Sequence, residues 1–247
     1  MEDIKLIHTS ETESTNKLMR QYTGEEGRLM TVCTADYQTA GHGQGTSKWE
    51  SDRGCNLLTS IRLHPKGLAA AHQYSMTEAG ALAVRDTVAH YTDNVSVKWP
   101  NDVYVGDRKI SGTISECDIS GTVIKTCTLG IGININQPSF SQYAPNPVSL
   151  RQIRGCNTDL DEVLGLLTDR LLRYTSMVDN GEYERLHNLY LGSLYRRHGL
   201  FMYEDAAGRF MAETVTVDNY GLLVLRRPDG RLSKYNIKEV KFIIKTT

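Results

Sequence analysis

Apolar positions recur along this chain with a period of two in some stretches and near 3.6 in others. Residues 4–8, Ile-Lys-Leu-Ile-His, suit a short strand. Ser14, or an earlier threonine, is placed to cap a short helix running from Thr15 to Tyr22. Residues 28–35 read as a buried strand, and a loop rich in glycine and polar residues follows over 36–52. Residues 56–63 alternate towards another strand. Residues 70–91 are alanine-rich, carry only Gly80, and are long enough for a buried helix. Residues 95–99 read as a strand that Pro100 stops. Residues 103–105 and 109–116 form a hairpin across Gly106-Asp107-Arg108, and residues 122–136 give one more long strand. Strands outnumber helices and many are joined by tight turns. The expected fold class is therefore α+β, a largely antiparallel or mixed sheet with helices on one face.

Pro138, Pro145 and Pro147 mark a loop leaving that sheet. Over residues 161–179, Val163, Leu167, Leu171, Tyr174 and Val178 recur at helical spacing, and a second helix covers 183–194. After His198-Gly199 the character changes to short strands at 200–203, 210–217, 222–226, 234–237 and 241–244, with turn signals between them. These suggest a small barrel, so two domains are expected, 1–196 and 197–247.

Composition narrows the classes. A chain of 247 residues needs no staples for its core. Its net charge of −1 argues against a nucleic-acid binder. The five cysteines are odd in number and none has CxxC spacing, which fits reduced thiols better than a disulfide framework or a zinc site. Met1-Glu2-Asp3 opens on no apolar leader, and no uncharged apolar run approaches the ~20 residues of a membrane span. A cytoplasmic protein with neither membrane nor nucleic-acid partner is expected.

Four segments hold candidate chemistry. In Gln38-Thr39-Ala40-Gly41-His42-Gly43-Gln44-Gly45-Thr46-Ser47-Lys48-Trp49, three glycines within five positions permit close backbone approach to a ligand, and successive amides can form an anion site. The segment matches neither a Walker A loop nor a dinucleotide fingerprint, and taken alone it also reads as a surface loop. Lys98-Trp99-Pro100-Asn101-Asp102-Val103-Tyr104 reads either as an ordinary β-turn or as a strand end offering a cation, an amide and a carboxylate. Those would suit a phosphate, a base edge, and a magnesium ion or amine. In Arg108-Lys109-Ile110-Ser111-Gly112-Thr113-Ile114-Ser115-Glu116, Gly112 leaves room against the sheet, while a lone lysine beside a hairpin turn is usually edge protection. Finally, Gly130, Gly132, Asn134 and Asn136 share one face of an otherwise apolar strand. A ligand resting there explains that lack of bulk better than a packed core does.

Together with Ser14-Thr15-Asn16, these segments resemble, in order, the motifs of biotin–protein ligases, across about residues 10–136. The resemblance implies a catalytic domain similar to class II aminoacyl-tRNA synthetase cores, with a small C-terminal SH3-like β-barrel. It implies that Ser14, Thr15, Asn16 and Gln38 contact biotin, and that Gly41, His42, Gly43 and Gln44 belong to the loop closing over biotin and the adenylate. Lys109, with Gly112 beside it, would meet the biotin carboxylate and the phosphate of the intermediate. Trp49, Asn101, Asp102 and Asn134 would serve the nucleotide. Asp102 is the candidate metal contact, and an alternative for it is to orient the acceptor amine. The implied catalytic pair is Lys109 and Asp102, and ATP with Mg²⁺ would activate biotin as biotinyl-5'-AMP. The acceptor would be a lysine of a biotin carboxyl carrier protein or domain of a biotin-dependent carboxylase. Because Ser14 arrives so early, the resemblance is to the monofunctional type without an N-terminal DNA-binding domain; whether a homodimer forms is left open. One departure stands out. His42 occupies a position where the family loop usually has arginine, and an imidazole near pH 7 lacks the permanent, forked charge of a guanidinium. Faster leakage of the adenylate than from His42→Arg is the expectation. The nearest rival is a lipoate- or octanoate-transferring relative.

Overall fold

The computed structural model describes residues 4–22, 28–43, 45, 48–141 and 146–244. Its first part follows the alternation closely. Strand β1 (Ile4–Thr9) leads to helix α1 (Thr15–Gln21), then β2 (Met30–Ala35) and β3 (Leu57–Leu63). A single 3₁₀ turn (Ala70–His72) precedes α2 (Tyr74–Ala89), so the alanine-rich stretch divides rather than forming one helix. Next come β4 (Val95–Lys98), β5 (Asp102–Val105), β6 (Arg108–Ser120) and β7 (Val123–Ile133). Gly106, with φ of +57°, makes the β5–β6 turn. Helix α3 (Leu150–Arg154) was not expected from the pattern. It is five residues long, too short to show a period, and is held by a capping box between Ser149 and Gln152. Helices α4 (Leu160–Asp179) and α5 (Tyr183–Gly192) follow.

The seven strands form one mixed sheet in the order β1-β2-β3-β7-β6-β5-β4, in which only β1 and β2 run parallel. Period-two geometry gives the sheet two faces. Leu129, Ile131 and Ile133 of β7 point into the main core, beneath α2. Gly80 makes that contact close, since a β-carbon there would stand 3.0 Å from Leu129 Cδ1. Val163, Leu167, Leu171 and Tyr174 of α4 extend the same core. Helix α1 lies on the opposite face, because its Asn16 rests over Gly130, the neighbour of Leu129. The helices are therefore not all on one face as the pattern suggested. Seven residues carry too little apolar periodicity to say where such a helix packs.

Strands β8 (Phe201–Asp205), β9 (Gly208–Val217), β10 (Leu223–Arg226), β11 (Leu232–Tyr235) and β12 (Lys241–Phe242) form a second, antiparallel sheet in the order β11-β10-β9-β8-β12. Among the described residues its end strands do not pair, so the sheet is open. Tyr203, Phe210, Tyr235 and Phe242 stack through it with centroid separations of 4.9–6.1 Å. Polar contacts join the two parts. Trp99 Nε1 donates to Gly221 O at 2.9 Å, and Gly221 lies against the Tyr74 ring. The Tyr74 and Tyr190 hydroxyls are 2.9 Å apart, and Tyr190 Oη donates to Pro100 O at 2.7 Å. The turn after β4 is thus held from the second sheet and from α5 together.

Candidate active site

The α1 face of the main sheet has a floor without side chains. Gly112 of β6 pairs in register with Gly132 of β7, and Gly130 lies opposite both Ile114 and Ser60 of β3. The indole of Trp49 covers part of that floor. A β-carbon at Gly132 would sit 2.5–2.8 Å from its ring atoms, and one at Gly112 would sit 3.1 Å away. The Lys109 ammonium reaches the same spot, 3.3 Å from a β-carbon built at Gly112.

Helix α1 brings a polar cluster over the other end. Ser14 caps it, accepting from Lys17 N at 3.1 Å. Arg62 donates to Met19 O and Tyr22 O, satisfying carbonyls at the helix C-terminus. Arg20 forks onto Glu116 of β6 with both oxygens within 2.7 Å, tying the helix to the strand. Thr15 and Asn16 are consequently buried and fixed. Gln38 Oε1 accepts from Thr15 N at 2.7 Å and from Thr15 Oγ1 at 3.1 Å. Ser60 Oγ lies 2.8 Å from Thr15 Oγ1 and is also hydrogen-bonded to Asn16 Oδ1.

The glycine loop begins at this cluster. Thr39 N and Ala40 N donate to Thr12 O and Glu13 O, Trp49 N donates to Gly41 O at 3.0 Å, and His42 bridges Lys48 across the loop. Gly41 is where the loop closes on itself, since a β-carbon there would meet Trp49 O at 2.9 Å and Gln38 Nε2 at 3.2 Å. His42 is exposed, Gly43 follows half-buried, and Gln44 lies outside the described residues.

Charge enters from the β4–β5 turn and from β6. Lys109 Nζ and Asp102 Oδ1 are 2.7 Å apart, each about three-quarters covered. Lys109 is further fixed by its backbone, which bonds Asn146 O at 2.8 Å and receives Val148 N at 2.9 Å. Burial lowers the Lys98 ammonium below the ordinary lysine pKa; Asp102 opposes that shift, and Lys109 and Arg196 add to it. Asn101 turns its amide to Thr113 O at 2.8 Å and so braces the turn.

Two asparagines differ from expectation. Strand β7 ends at Ile133, and Asn134 does not extend the glycine face. Its amide donates to Val148 O at 3.1 Å, while Asn136 exchanges two bonds with Thr158. Both staple the segment that follows β7, which meets a strand at Lys109, where Asn146 and Val148 bond its backbone.

Two buried donors at the floor lack a partner among the described residues, Asn16 Nδ2 and Trp49 Nε1. Such groups are uncommon in native folds, and two facing one glycine floor are what a bound polar molecule would satisfy. No cluster of three or more histidine, cysteine or acidic side chains fit for a metal occurs among the described residues. A groove of about 610 Å³ on α5, lined by Glu182, Arg185 and Leu189 among others, shares no residue with this site.

Residues 8–134 match the biotin/lipoate A/B protein ligase family. The chain belongs to that family. The matched span runs from β1 to the residue after β7 and so holds the glycine floor, Asn16, Gln38, Trp49, Asp102 and Lys109. Among curated relatives, the chain is 28% identical over 229 residues to the biotin–[acetyl-CoA-carboxylase] ligase of Paracoccus denitrificans, covering 89% of this chain and 93% of that one. It is 32% identical over 163 residues to the bifunctional ligase/repressor BirA of Escherichia coli (strain K12), covering 64% and 50%. The fold is that of the biotin protein ligase from Aquifex aeolicus solved in complex with biotin and ATP, with a TM-score of 0.78, 24% identity, and coverage of 97% of this chain and 99% of that one. Against the family motifs, three residues emerge only from the structure: Ser60, Arg62 and the anchoring role of Glu116. A serine and an arginine on a strand have no sequence signature; only register places them opposite Gly130 and under α1.

Proposed function

We propose that this member of the biotin/lipoate family is an ATP-dependent biotin–protein ligase. The observation that carries the reading is the glycine floor with an unpartnered amide from Asn16 at one end and the Lys109–Asp102 pair at the other. A ligand with a small polar ring and a carboxylate tail fits that sequence of groups. Ser14, Thr15, Asn16 and Gln38 would hold the ureido end, with Ser60 keeping Thr15 and Asn16 in place. The Gly41–Gln44 loop and Trp49 would cover the ligand, and Lys109 over Gly112 would meet its carboxylate.

In the first step a biotin carboxylate oxygen attacks the α-phosphorus of ATP; the Pα–O bond to the β-phosphate breaks and pyrophosphate leaves. The protein contributes position and neutralisation of the growing negative charge. In the second step a neutral lysine amine attacks the acyl carbon, and AMP departs. Asp102 is read as orienting that amine once Lys109 turns to the phosphate; its pairing with Lys109 supports a position beside the reacting groups. Magnesium is read as arriving with ATP, since Asp102 is one carboxylate rather than a cage and such ions are commonly shared between one carboxylate and substrate phosphates. Asn101 and Asn134 are read as nucleotide-side residues that act by shaping the walls, because their amides already hold backbone oxygens.

The acceptor is read as a biotin carboxyl carrier domain. The second sheet is read as an SH3-like domain beginning near residue 197; support comes from Tyr195 N, which still bonds Val97 O, and from β8, which starts at Phe201. No described helix is long and apolar enough to cross a membrane, and all five cysteines are free, which supports a reducing, cytoplasmic setting.

The test is incubation with Mg·ATP, labelled biotin and a purified carrier domain, with lipoate as competitor. Label on the carrier lysine together with AMP and pyrophosphate is expected. Turnover of lipoate in preference to biotin would move the chain to the other branch of its family.

A further inference from the structure

Two cysteines face each other across the β6–β7 ladder, on the packed side of the sheet. Cys117 pairs in register with Cys127, and their sulfurs are 3.0 Å apart. Residues directly opposite in an antiparallel pair have Cα atoms about 4.5–5.5 Å apart, inside the roughly 4.4–6.8 Å that a disulfide spans. The two thiols differ in setting. Cys127 belongs to the buried core, whereas Cys117 is half-buried and is followed by three exposed residues, Asp118, Ile119 and Ser120. The hydrogen bond with Cys127 holds the Cys117 thiol below its ordinary pKa and Ser115 adds to that, while burial and Asp118 oppose it. The same bond, and then burial, push the Cys127 thiol up. The proton therefore stays on the inner sulfur, and the outer one carries the reactive thiolate.

We propose that Cys117 and Cys127 form an oxidation site, which a peroxide closes to a disulfide and a dithiol reopens. The Cys117 thiolate attacks one oxygen of hydrogen peroxide; the O–O bond breaks, hydroxide leaves, and Cys117 becomes a sulfenic acid. Cys127 then loses its proton and attacks the Cys117 sulfur. The S–S bond forms as the S–O bond breaks, and a second hydroxide leaves. The two hydroxides take the two thiol protons and become water, so the pair loses two electrons to the peroxide. A dithiol reverses the link by exchange. Position gives the link its consequence. The Gly112–Gly132 pair lies five residues back along the same ladder, and Glu116, next to Cys117, holds Arg20 of α1. A covalent tie at this point pins the register on which the glycine floor depends.

Peptide mapping of the whole protein, reduced and then treated with hydrogen peroxide, tests this. A Cys117–Cys127 peptide lighter by two hydrogens is expected, and dithiothreitol should restore both thiols. In Cys127→Ser the reaction should stop at Cys117, where dimedone traps the sulfenic acid. In Cys117→Ser the buried Cys127 should take up little dimedone. The oxidised wild type should melt about 5 °C or more above the reduced protein, the scale of a link closing a short loop, and Cys117→Ser should show no such shift. The wild-type map decides the link itself without any variant: peroxide treatment that yields no linked peptide overturns the proposal, as does a link joining Cys117 to a cysteine other than Cys127. Equal dimedone labelling of the two single variants overturns the assignment of Cys117 as the attacking thiol. An unshifted melting temperature in protein shown to be linked overturns the pinning of the ladder.

Discussion

Two faces of the same pair of strands do opposite work. On one side of β7, Leu129, Ile131 and Ile133 are almost fully covered and packed beneath α2. On the other, one residue along, Gly130 and Gly132 offer no side chain at all, and what lies above them is Asn16 and Trp49, with Lys109 over the adjacent Gly112 of β6. Buried area is stabilising on the first face, at about 25 cal/mol per Å² of apolar surface. On the second face stability is forgone: side-chain burial is absent and two donors are left unpartnered. The difference shows how a sheet can carry a core and a ligand site within the thickness of one strand, because the period of two sends adjacent residues to different surroundings.

That contrast can be broken most strongly from the core side. Leu129→Ala should cost about 2–5 kcal/mol of stability, read by denaturant unfolding, while the folded fraction keeps its KM for biotin. A large KM change would mean the two faces are not separable. From the site side, Lys109→Ala should slow adenylation by roughly a hundredfold or more, the effect of losing ~2.7–4 kcal/mol of transition-state stabilisation. Its melting temperature should move little, and single-turnover kinetics with ATP and biotin would show whether the chemical step is what suffers. Gly132→Ala is more delicate. Its new methyl group must displace the Trp49 indole, so biotin affinity should fall by about tenfold, with a cost in stability of at most ~1–3 kcal/mol. Calorimetry with biotin decides it; unaltered binding would mean the floor is not where the ligand rests.

The smallest effect concerns the packed side of α2. Glu78 and His187 of α5 are 2.6 Å apart, and His187 also interacts with the Val217 backbone and Asp218. The hydrogen bond His187 donates to Glu78 raises the His187 pKa above the ordinary imidazole value, and burial raises that of Glu78. A raised histidine stabilises the fold fully below its unfolded pKa of about 6.5, and that contribution disappears as pH rises through the folded value. The melting temperature of the wild type should therefore exceed that of His187→Gln by more at pH 6 than at pH 9. A gap of a few degrees is expected, at about 2–4 °C for each kcal/mol. A gap that is constant with pH would show that the pair only fills space.

Much of this was legible beforehand, for identifiable reasons. Apolar alternation located β1 to β7 because each buries one face or both, and the stripe on α4 was plain over its length. Ser14 announced α1 because a cap hydroxyl has a local partner, Lys17 N. The glycines at 112, 130 and 132 pointed to a ligand because nothing in a packed core calls for missing bulk at period two. The same logic carried too far along the strand at Asn134, where the chain leaves the sheet and the amide turns to Val148. Helix α3 and the role of Ser60 were not legible, the first being too short for a pattern and the second ordinary until its neighbours are known.

By itself, then, the sequence determined the elements, the loop chemistry and the family motifs, since all of these rest on residues close together along the chain. Tertiary structure alone decided that α1 lies over the glycines rather than with the other helices, that Asp102 meets Lys109, and that Phe242 reaches back to Lys98. Those pairings join residues between 7 and 144 positions apart. They depend on strand register and on how one sheet packs against another, neither of which any local pattern encodes.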